Sequence, residues 1–300
     1  MAIEMDTAPA PRLSVIMITG NVIVRTPGRA IFERVLESVA WADEIVIVDS
    51  ASTDETRAVA ARYTSKIYVH PFRNSLKRQK KIALEYVTGD WILWVDADEV
   101  LPPALIAEIR QALHSPAIAG PNAVNAFMLR RQHIFAGLPL LHTGEDAKVR
   151  LWRRGVGHWD GPENDDIYVV PPPTPCFNTP LEHYSDPSLA ARLKKMAYFA
   201  PAHAAIAELP PSPHYTAADV WRRLLRPPLQ LFYGVYWVHR GYRDGLRGFI
   251  WASLSAITEF YKHILIWERA AVAAAPALAG RSATPETGRS EAAAAASDPH

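Results

Sequence analysis

Short apolar segments alternate with amphipathic segments between residues 13 and 113, and this alternation restricts the fold more than any other feature of the sequence. The apolar segments have the length and the β-branched content of buried strands. They are LSVIMIT at 13–19, EIVIVDS at 44–50, KIYVH at 66–70 and DWILWV at 90–95. Helices are predicted between them at 28–40, 75–87 and 102–113, and after a capping box formed by Ser52 and Glu55. This order predicts an α/β fold with a mostly parallel, doubly wound sheet.

The rest of the chain divides by composition into regions of different expected structure. Residues 1–11 predict a flexible tail, and the α/β domain is expected over 12–185. Aromatic residues and helical spacing over 186–269 predict a helical C-terminal region. Residues 270–300 are rich in Ala, Ser, Thr and Gly and have no core pattern, which predicts a disordered tail.

Charge and cysteine content limit the partners and the compartment. The 32 basic and 31 acidic residues give a net charge of +1, so the chain as a whole gives no electrostatic case for binding nucleic acid. Cys176 is the single cysteine, which rules out an internal disulfide and indicates a reducing compartment. The first residues lack the apolar core of a signal peptide, and no run of about 18 apolar residues predicts a spanning helix. We therefore expect a cytoplasmic protein.

Three acids follow the fourth predicted strand, in the segment WILWVDADEV at 91–100. A buried strand that ends in Asp96, Asp98 and Glu99 needs something that offsets their charge. Carboxylates are hard ligands, so Asp96 and Asp98 suit Mg²⁺ or Mn²⁺, with the remaining positions left to phosphate oxygens and water. Two alternatives stay open here: an acidic turn in solvent, or the nucleophile and acid-base pair of a haloacid-dehalogenase-like phosphatase. That phosphatase motif usually follows the first strand of its domain, whereas three predicted strands precede Asp96.

A second candidate site follows the second predicted strand, in VDSASTDET at 48–56. Ligands of parallel α/β sheets bind beyond the carboxyl ends of the strands, where free N–H groups of a helix can face a nucleotide. Asp49 ends the strand and can accept hydrogen bonds from a base or a ribose. An ordinary capped turn between a strand and a helix has the same pattern and is the alternative.

The order and spacing of these segments resemble the inverting family 2 glycosyltransferases, and more narrowly their lipopolysaccharide core β-glucosyltransferase branch. The resemblance covers most of residues 12–268. It is carried by LSVIMIT, by residues 37–56 and 78–101, by DAKVRLWRRG at 146–155, by LEHYS at 181–185 and by residues 226–268. It implies a GT-A fold, which is a single nucleotide-binding α/β domain, with an appended helical region.

The resemblance also implies roles for particular residues. A UDP-sugar donor would be bound by Thr19, Asn21, Asp49, Ser52, Asp54, Lys80 and Asp96. Asp96 and Asp98 would form the metal-binding D-x-D, with Asp98 as the direct ligand of Mg²⁺ or Mn²⁺. For Lys80 the alternative is a solvated lysine on a basic helix. The implied reaction inverts the anomeric configuration and moves a hexose, glucose in this branch, to a membrane-associated glycan such as lipopolysaccharide core.

The chain departs from the family pattern at two places. The family often has Gly-Pro-Val-His-Glu where this chain has GPENDD at 161–166, so Asp165 takes the place of the glutamate as catalytic base. Asp146 is the reserve candidate for the base, and an acidic surface loop is the alternative. The family commonly has Thr-Lys-Asn-Glu-Glu after the first strand, whereas here VIVRTPGR follows Asn21. Arg25 and Arg29 would compensate by meeting phosphate, and the alternative is that they are ordinary exposed arginines. These departures motivate a second hypothesis, a non-catalytic relative that binds nucleotide or glycan.

Residues 221–247 contain six arginines and one acid, Asp244, interleaved with aromatic side chains. Basic and aromatic residues at helical spacing are typical of a face that rests on an anionic bilayer. One alternative is a set of helices packed on the catalytic domain with the arginines in water. Another is a surface for single-stranded nucleic acid, which the balanced total charge disfavours. We expect peripheral attachment to the inner face of the cytoplasmic membrane.

Overall fold

The computed structural model describes residues 11–24, 28–73, 75–120, 122–142, 146–160, 167–186 and 188–281. The strands are β1 Leu13–Thr19, β2 Glu44–Asp49, β3 Ile67–Val69, β4 Trp91–Trp94, β5 Glu99–Val100, β6 Ala126–Phe135, β7 Leu138–Pro139, β8 Asp146–Arg153, β9 His158–Asp160, β10 Ile167–Val169 and β11 Leu181–Asp186. The helices are α1 Arg29–Val39, α2 Thr56–Ala60, α3 Leu76–Glu85, α4 Pro103–Leu113, α5 Leu189–Ile206, α6 Ala217–Asp219, α7 Arg226–Tyr233 and α8 Gly245–Arg281. Wider π-type turns span Val220–Leu225 and Gly234–Val238, and 3₁₀ turns span Pro116–Ile118 and Gly241–Asp244.

Nine strands form the main sheet, in the order β3-β2-β1-β4-β8-β6-β11-β5, with β7 paired to β6. The first four are parallel, as their alternation with helices predicted. The α/β class and the helical C-terminal region are confirmed. Beyond β4 the sheet is mixed, because β8 pairs antiparallel with both β4 and β6 while β11 runs parallel to β6. This mixed half has no counterpart in the alternating sequence pattern.

Apolar cores cover both faces of the parallel strands. Successive side chains of β1 point to opposite faces, so Val15 and Met17 pack with α1 and α4, while Ile16 packs with α3. Helix α1 buries Phe32 and Leu36 completely against the first core. The sheet is therefore covered by helices on both sides, which is the doubly wound arrangement.

Two local expectations are wrong. The predicted capping box of Ser52 and Glu55 does not form, because α2 begins only at Thr56 and has no side-chain cap. The Ser52 hydroxyl instead donates to the carboxylate of Asp49, three residues earlier at the end of β2. Helix α8 runs through Arg281, so the first part of the predicted disordered tail is helical, in keeping with its many alanines. Residues 1–10 and 282–300, where the rest of the predicted tails falls, lie outside the described residues.

The chain divides into two compact units. The first holds residues up to Lys195 and the segment Phe232–Ser253; the second holds Met196–Leu231 and residues from Leu254 onward. Within the first unit an apolar cluster joins the segment to strand β6, and it contains Phe135, Leu140, Val235, Trp251 and Ala252. Within the second unit, Trp267 donates to the carbonyl of Pro213 at 2.8 Å. No helix in the described ranges combines the length and the apolar character that crossing a bilayer requires. Apart from the start of the C-terminal tail, the division expected from composition stays a prediction.

Candidate active site

The acids singled out in the sequence lie at the carboxyl edge of the parallel strands. Thr19 and Asp49 are register partners at the ends of β1 and β2. On the other side of β1, the Val95 amide donates to the Ile16 carbonyl at 3.1 Å, which brings Asp96 to the same edge. Because β1 separates β2 from β4, the backbones at Asp49 and Asp96 are about 10 Å apart, two strand spacings.

Asp49 holds the ends of β1 and β2 together. Its side chain is fully buried. One oxygen, Oδ2, accepts from the Thr19 hydroxyl at 2.7 Å and from the Ser52 hydroxyl at 2.6 Å. The other, Oδ1, accepts from the Ser52 amide at 2.7 Å. In this arrangement Asp49 orders the loops at the site, and its contact with a nucleoside stays a prediction.

Asn21 and Asp54 extend the same network outward. Asn21 has a left-handed backbone with a φ of 52°, which asparagine tolerates better than most residues. Its backbone amide donates to the Ser52 hydroxyl at 2.8 Å. Asp54 accepts from the amides of Val24 and Thr56, each at 3.0 Å. Burial opposes ionisation of Asp54, but these hydrogen bonds outweigh it and hold its pKa below the usual range. The start of the loop after β1, where the chain differs from the family pattern, is thus hydrogen-bonded to the loop after β2.

Asp96 lies among cations and a tryptophan. Its Oδ1 accepts from the Trp94 indole nitrogen at 2.8 Å and lies 3.9 Å from the Lys80 ammonium. Its Oδ2 lies 3.3 Å from the Arg150 guanidinium. Burial acts to raise the pKa of Asp96, but the charges of Lys80 and Arg150 overcome it and lower that pKa far below the usual range.

Both cations, Lys80 and Arg150, contact the face of the Trp94 ring. The Lys80 ammonium lies 3.4 Å and the Arg150 guanidinium carbon 3.6 Å from the ring centroid, and both side chains are 1% exposed. Cation–π attraction is strong when the cation is desolvated. Lys80 is therefore not the solvated lysine of the alternative interpretation. Arg150 was given no role from the sequence, although the motif DAKVRLWRRG contains it.

Glu99 completes this buried group of charges. Its side chain is fully buried, accepts from Arg150 at 3.0 Å, and accepts from the Asp96 amide at 2.9 Å. Burial raises the pKa of Glu99; Arg150 opposes that rise and the charge of Asp96 adds to it. Glu99 therefore closes the turn that carries the D-x-D.

Asp98 faces a pair of histidines. Its side chain is a quarter exposed, and its Oδ2 lies 3.4 Å from His183 Nε2. Burial acts to raise the pKa of Asp98, and His183 lowers it below the usual range. On the far side of the imidazole, His183 Nδ1 lies 3.2 Å from His133 Nδ1. Burial, together with the charge of His183, lowers the pKa of His133 to about 3, so His133 is neutral.

Asp98 and His183 fit a divalent cation in their chemistry. A carboxylate oxygen and an imidazole nitrogen face each other, and both are ordinary ligands of Mn²⁺-type ions. Within the described ranges no group of three or more His, Cys, Asp or Glu side chains could enclose a metal by itself. A cation held here would therefore take its remaining ligands from water and from a diphosphate.

Four other predicted positions lie outside the described residues or away from these contacts. Asp165 and Arg25 lie outside the described residues. Asp146 begins β8 opposite Arg131 of β6, but its side chain lies outside the described part of the chain. Arg29 is paired with Glu33 at 3.5 Å and also with Glu55, so its guanidinium already meets carboxylates. The two candidate bases stay predictions.

Comparison with known proteins gives one family match and several named relatives. The sequence profile of glycosyl transferase family 2 matches residues 14–140, which includes β1 to β4, both candidate sites and the D-x-D. The lipopolysaccharide core biosynthesis glycosyltransferase LpsC of Rhizobium meliloti is 28% identical over 250 residues, covering 80% of this chain and 88% of LpsC. An uncharacterized glycosyltransferase of Rickettsia conorii is 34% identical over 106 residues, but the match covers only 35% of each chain.

Solved structures give weaker similarities. The mannosyltransferase PcManGT of Pyrobaculum calidifontis, in complex with GDP-Man and Mn²⁺, is 18% identical over 93% of this chain and 82% of its own, with a TM-score of 0.38. Glucosyl-3-phosphoglycerate synthase of Mycobacterium tuberculosis, in complex with Mn²⁺ and UDP-glucose, is 18% identical over 48% of this chain and 57% of its own, with a TM-score of 0.33. At these TM-scores neither structure bears on the donor or the acceptor here. Residues 14–140 match the glycosyl transferase family 2 profile, and this match together with the glycosyltransferase relatives shows that the chain is a glycosyltransferase.

Proposed function

We propose that this enzyme moves a hexose, glucose, from a UDP-sugar to a membrane-associated glycan of the lipopolysaccharide core type, with inversion at the anomeric carbon. The observation that carries the proposal is the arrangement at the end of β4. The charge of Asp96 is compensated by two buried cations, whereas Asp98, which is as exposed as Asp96, lies beside His183. The similarity to LpsC supports the acceptor class.

Each group at this edge has a separate task in the proposal. Asp98 and His183 would hold Mg²⁺ or Mn²⁺, and the bound cation would stabilise charge on the departing diphosphate. Lys80 and Arg150 keep Asp96 ionised and fixed, and the buried Glu99 anchors the turn through the Asp96 amide. The Asp49 network holds the loops that border the nucleotide.

The proton of the acceptor hydroxyl needs a carboxylate. Asp165 is the proposed base, with Asp146 in reserve, because both lie in segments that resemble the family pattern around its base. The deprotonated oxygen attacks the anomeric carbon from the face opposite the diphosphate, and one displacement inverts the configuration. The UDP moiety is the leaving group.

The family match favours this proposal over the two earlier alternatives. The family match is to glycosyltransferases and does not support a phosphatase nucleophile at Asp96. The Asp96 side chain also already contacts Trp94, Lys80 and Arg150. A non-catalytic role was suggested by the altered loop after β1. The described start of that loop is nevertheless bonded to the loop after β2, because the Asn21 backbone amide donates to the Ser52 hydroxyl.

Calorimetric titration of UDP with and without Mn²⁺ tests the proposal. We expect binding that depends on Mn²⁺ in the natural protein and is lost in Asp98→Ala. Glu85→Ala is the matched control, because Glu85 is an exposed acid at the end of α3. It should bind as the natural protein does. Equal UDP binding with and without metal, or unchanged binding in Asp98→Ala, would exclude the proposed metal site.

A second measurement tests the reaction itself. With UDP-glucose and a lipopolysaccharide core acceptor, the natural protein should release UDP and the Asp98→Ala variant should not. Transfer from another UDP-hexose alone would correct the donor, and absence of transfer despite UDP binding would favour the non-catalytic alternative.

A further inference from the structure

Six large apolar side chains of the first unit lie in water on two adjoining segments. They are Leu138, Leu141, Trp237, Val238, Tyr242 and Leu246, each between 41% and 73% exposed, and we call them the apolar patch. Two come from the hairpin that follows β6, and four come from the segment Phe232–Ser253. So many exposed large apolar side chains in one place are uncommon on a soluble surface and indicate an interaction site.

Asp244 joins the two segments of the apolar patch. Its carboxylate accepts from the amides of Leu141 and His142 at 3.0 and 2.9 Å, and its side chain is only 5% exposed. The rings of Trp237 and Tyr242 lie 5.7 Å apart. Below them, Leu140 packs with Val235 and Trp251. The backbone under the patch is therefore fixed by these contacts, while its apolar side chains are exposed to solvent.

The charge around the apolar patch is positive. Arg240 and Arg243 are exposed, and Arg247 is half-buried. Asp244 is the one acid between Phe232 and Ser253, and its charge is used internally by the hairpin amides. Arginines around exposed tryptophan, tyrosine and leucine match the composition of a surface that enters the headgroup layer of an anionic membrane.

We propose that the apolar patch rests on an anionic phospholipid bilayer, with Trp237, Leu141 and Leu246 in the apolar layer and Arg240 and Arg243 at the phosphates. The location of the patch gives this contact a purpose, which rests on the proposed function. On α8, Leu246 lies about 7.5 Å along the helix from Trp251. The Trp251 ring lies 4.9 Å from that of His133, which contacts His183 beside Asp98. The bilayer contact would therefore bring the D-x-D close to an acceptor held in the membrane.

Co-sedimentation of the full chain with vesicles of phosphatidylcholine and phosphatidylserine tests the proposal. We expect binding that weakens in high salt and on pure phosphatidylcholine. Leu246→Ser should weaken binding about tenfold or more, and Arg240→Gln with Arg243→Gln should weaken it about 25-fold, roughly fivefold for each arginine. The controls are Val272→Ser, which is 69% exposed on the same helix as Leu246, and Arg154→Gln, which removes an exposed arginine. Both should bind as the natural protein does.

The outcomes separate this proposal from the proposed function. Equal losses in Leu246→Ser and Val272→Ser, or no loss in either, would overturn the assignment of the patch. A change in sedimentation coefficient of Leu246→Ser without vesicles, and none in vesicle binding, would identify the patch as a contact between copies of the chain instead. Mn²⁺-dependent UDP binding should be unchanged in every patch variant, so its absence in the natural protein would count against the proposed function alone.

Discussion

Strands β1 and β2 hold a hydroxyl against a carboxylate at both of their ends, but the two ends differ in what surrounds the acid. Ser14 and Glu44 are register partners at the amino end, and Thr19 and Asp49 are register partners at the carboxyl end. In each pair the hydroxyl on β1 donates to the carboxylate on β2. Both acids are buried.

The amino end is a closed set of contacts. Glu44 accepts from the Thr88 amide at 2.8 Å and from the Thr88 hydroxyl at 3.0 Å, and it is paired with Lys66 and Ser14. Burial acts to raise the pKa of Glu44, but Lys66 and the hydrogen bonds lower it to about 2. Donors and acceptors balance here, which is what a stabilising contact requires.

The carboxyl end gathers more acids than such a balance needs. Asp96, Asp98 and Glu99 follow one strand within four positions, and the pKa is lowered for the first two and raised for Glu99. Crowding of like charges is costly, and it is typical of sites that do chemistry. The parallel strands therefore end in a stabilising network at one edge and, under the proposed function, in the active site at the other.

The largest expected effect is that of Arg150→Met, which removes a cation from the acids at the carboxyl end of the parallel strands. Methionine keeps much of the volume but leaves the fully buried Glu99 and the partly exposed Asp96 without their shared cation. We expect the free energy of unfolding to fall by about 3–5 kcal/mol, measured by urea denaturation. Arg154→Met, at an exposed arginine four residues later, should change the free energy of unfolding by less than about 0.5 kcal/mol. A loss of under about 1 kcal/mol in Arg150→Met would show that the acids need no such compensation.

Glu44→Gln is the corresponding test at the amino end. A folded-state pKa of about 2 against an ordinary 4.5 corresponds to about 3 kcal/mol of stability at neutral pH. Because this pKa is lowered by folding, the stabilisation is complete above about pH 4.5 and is lost as the pH falls towards 2. The difference in unfolding free energy between natural protein and variant should therefore shrink over that window.

Ligand binding separates Glu44→Gln from changes at the active site. Mn²⁺-dependent UDP affinity should be unchanged in this variant at neutral pH, since Glu44 lies at the opposite edge of the sheet. A variant that folds stably and yet binds UDP more weakly would mean that the two ends are not independent.

The smallest expected effect comes from a matched pair, Ser14→Ala and Thr19→Val. Each removes one hydroxyl from a buried carboxylate, so each should lower the free energy of unfolding by about 1–2 kcal/mol. Thr19→Val should in addition weaken UDP binding, because Asp49 and the loops it orders border the predicted donor site. Calorimetry would decide this, and equal UDP affinity in the two variants would remove the functional distinction between the ends.

Much of the parallel half could be predicted from local pattern. The predicted boundaries of β1, β2 and β4 agree with the structure within one residue, because short apolar runs between helices leave little choice. Asp49 and Asp96 were placed at one edge by topology alone. Ser52 was misassigned as a helix cap, because its true partner, Asp49, is chosen by the turn geometry and not by the spacing to Glu55.

The partners of the acids could not be predicted in this way. Arg150 reaches Asp96 because β8 pairs antiparallel with β4, and no local pattern indicates which strand will take that place. His183 is buried, and its contact with Asp98 depends on β11 pairing with β5. The apolar patch likewise needed the hairpin after β6 to meet Asp244.

The amino-acid order alone therefore determined the α/β class, the four parallel strands and the edge where Asp49, Asp96 and Asp98 lie. Hydrophobic periodicity and the ends of strands are local properties, because a window of about ten residues is enough to recognise them. Tertiary structure alone decided that Lys80 and Arg150 flank Trp94, that His183 faces Asp98, and which aromatic side chains stay in water. Those contacts join residues far apart in the chain, and only the pairing of strands and the burial of charge select among the many partners that the sequence offers.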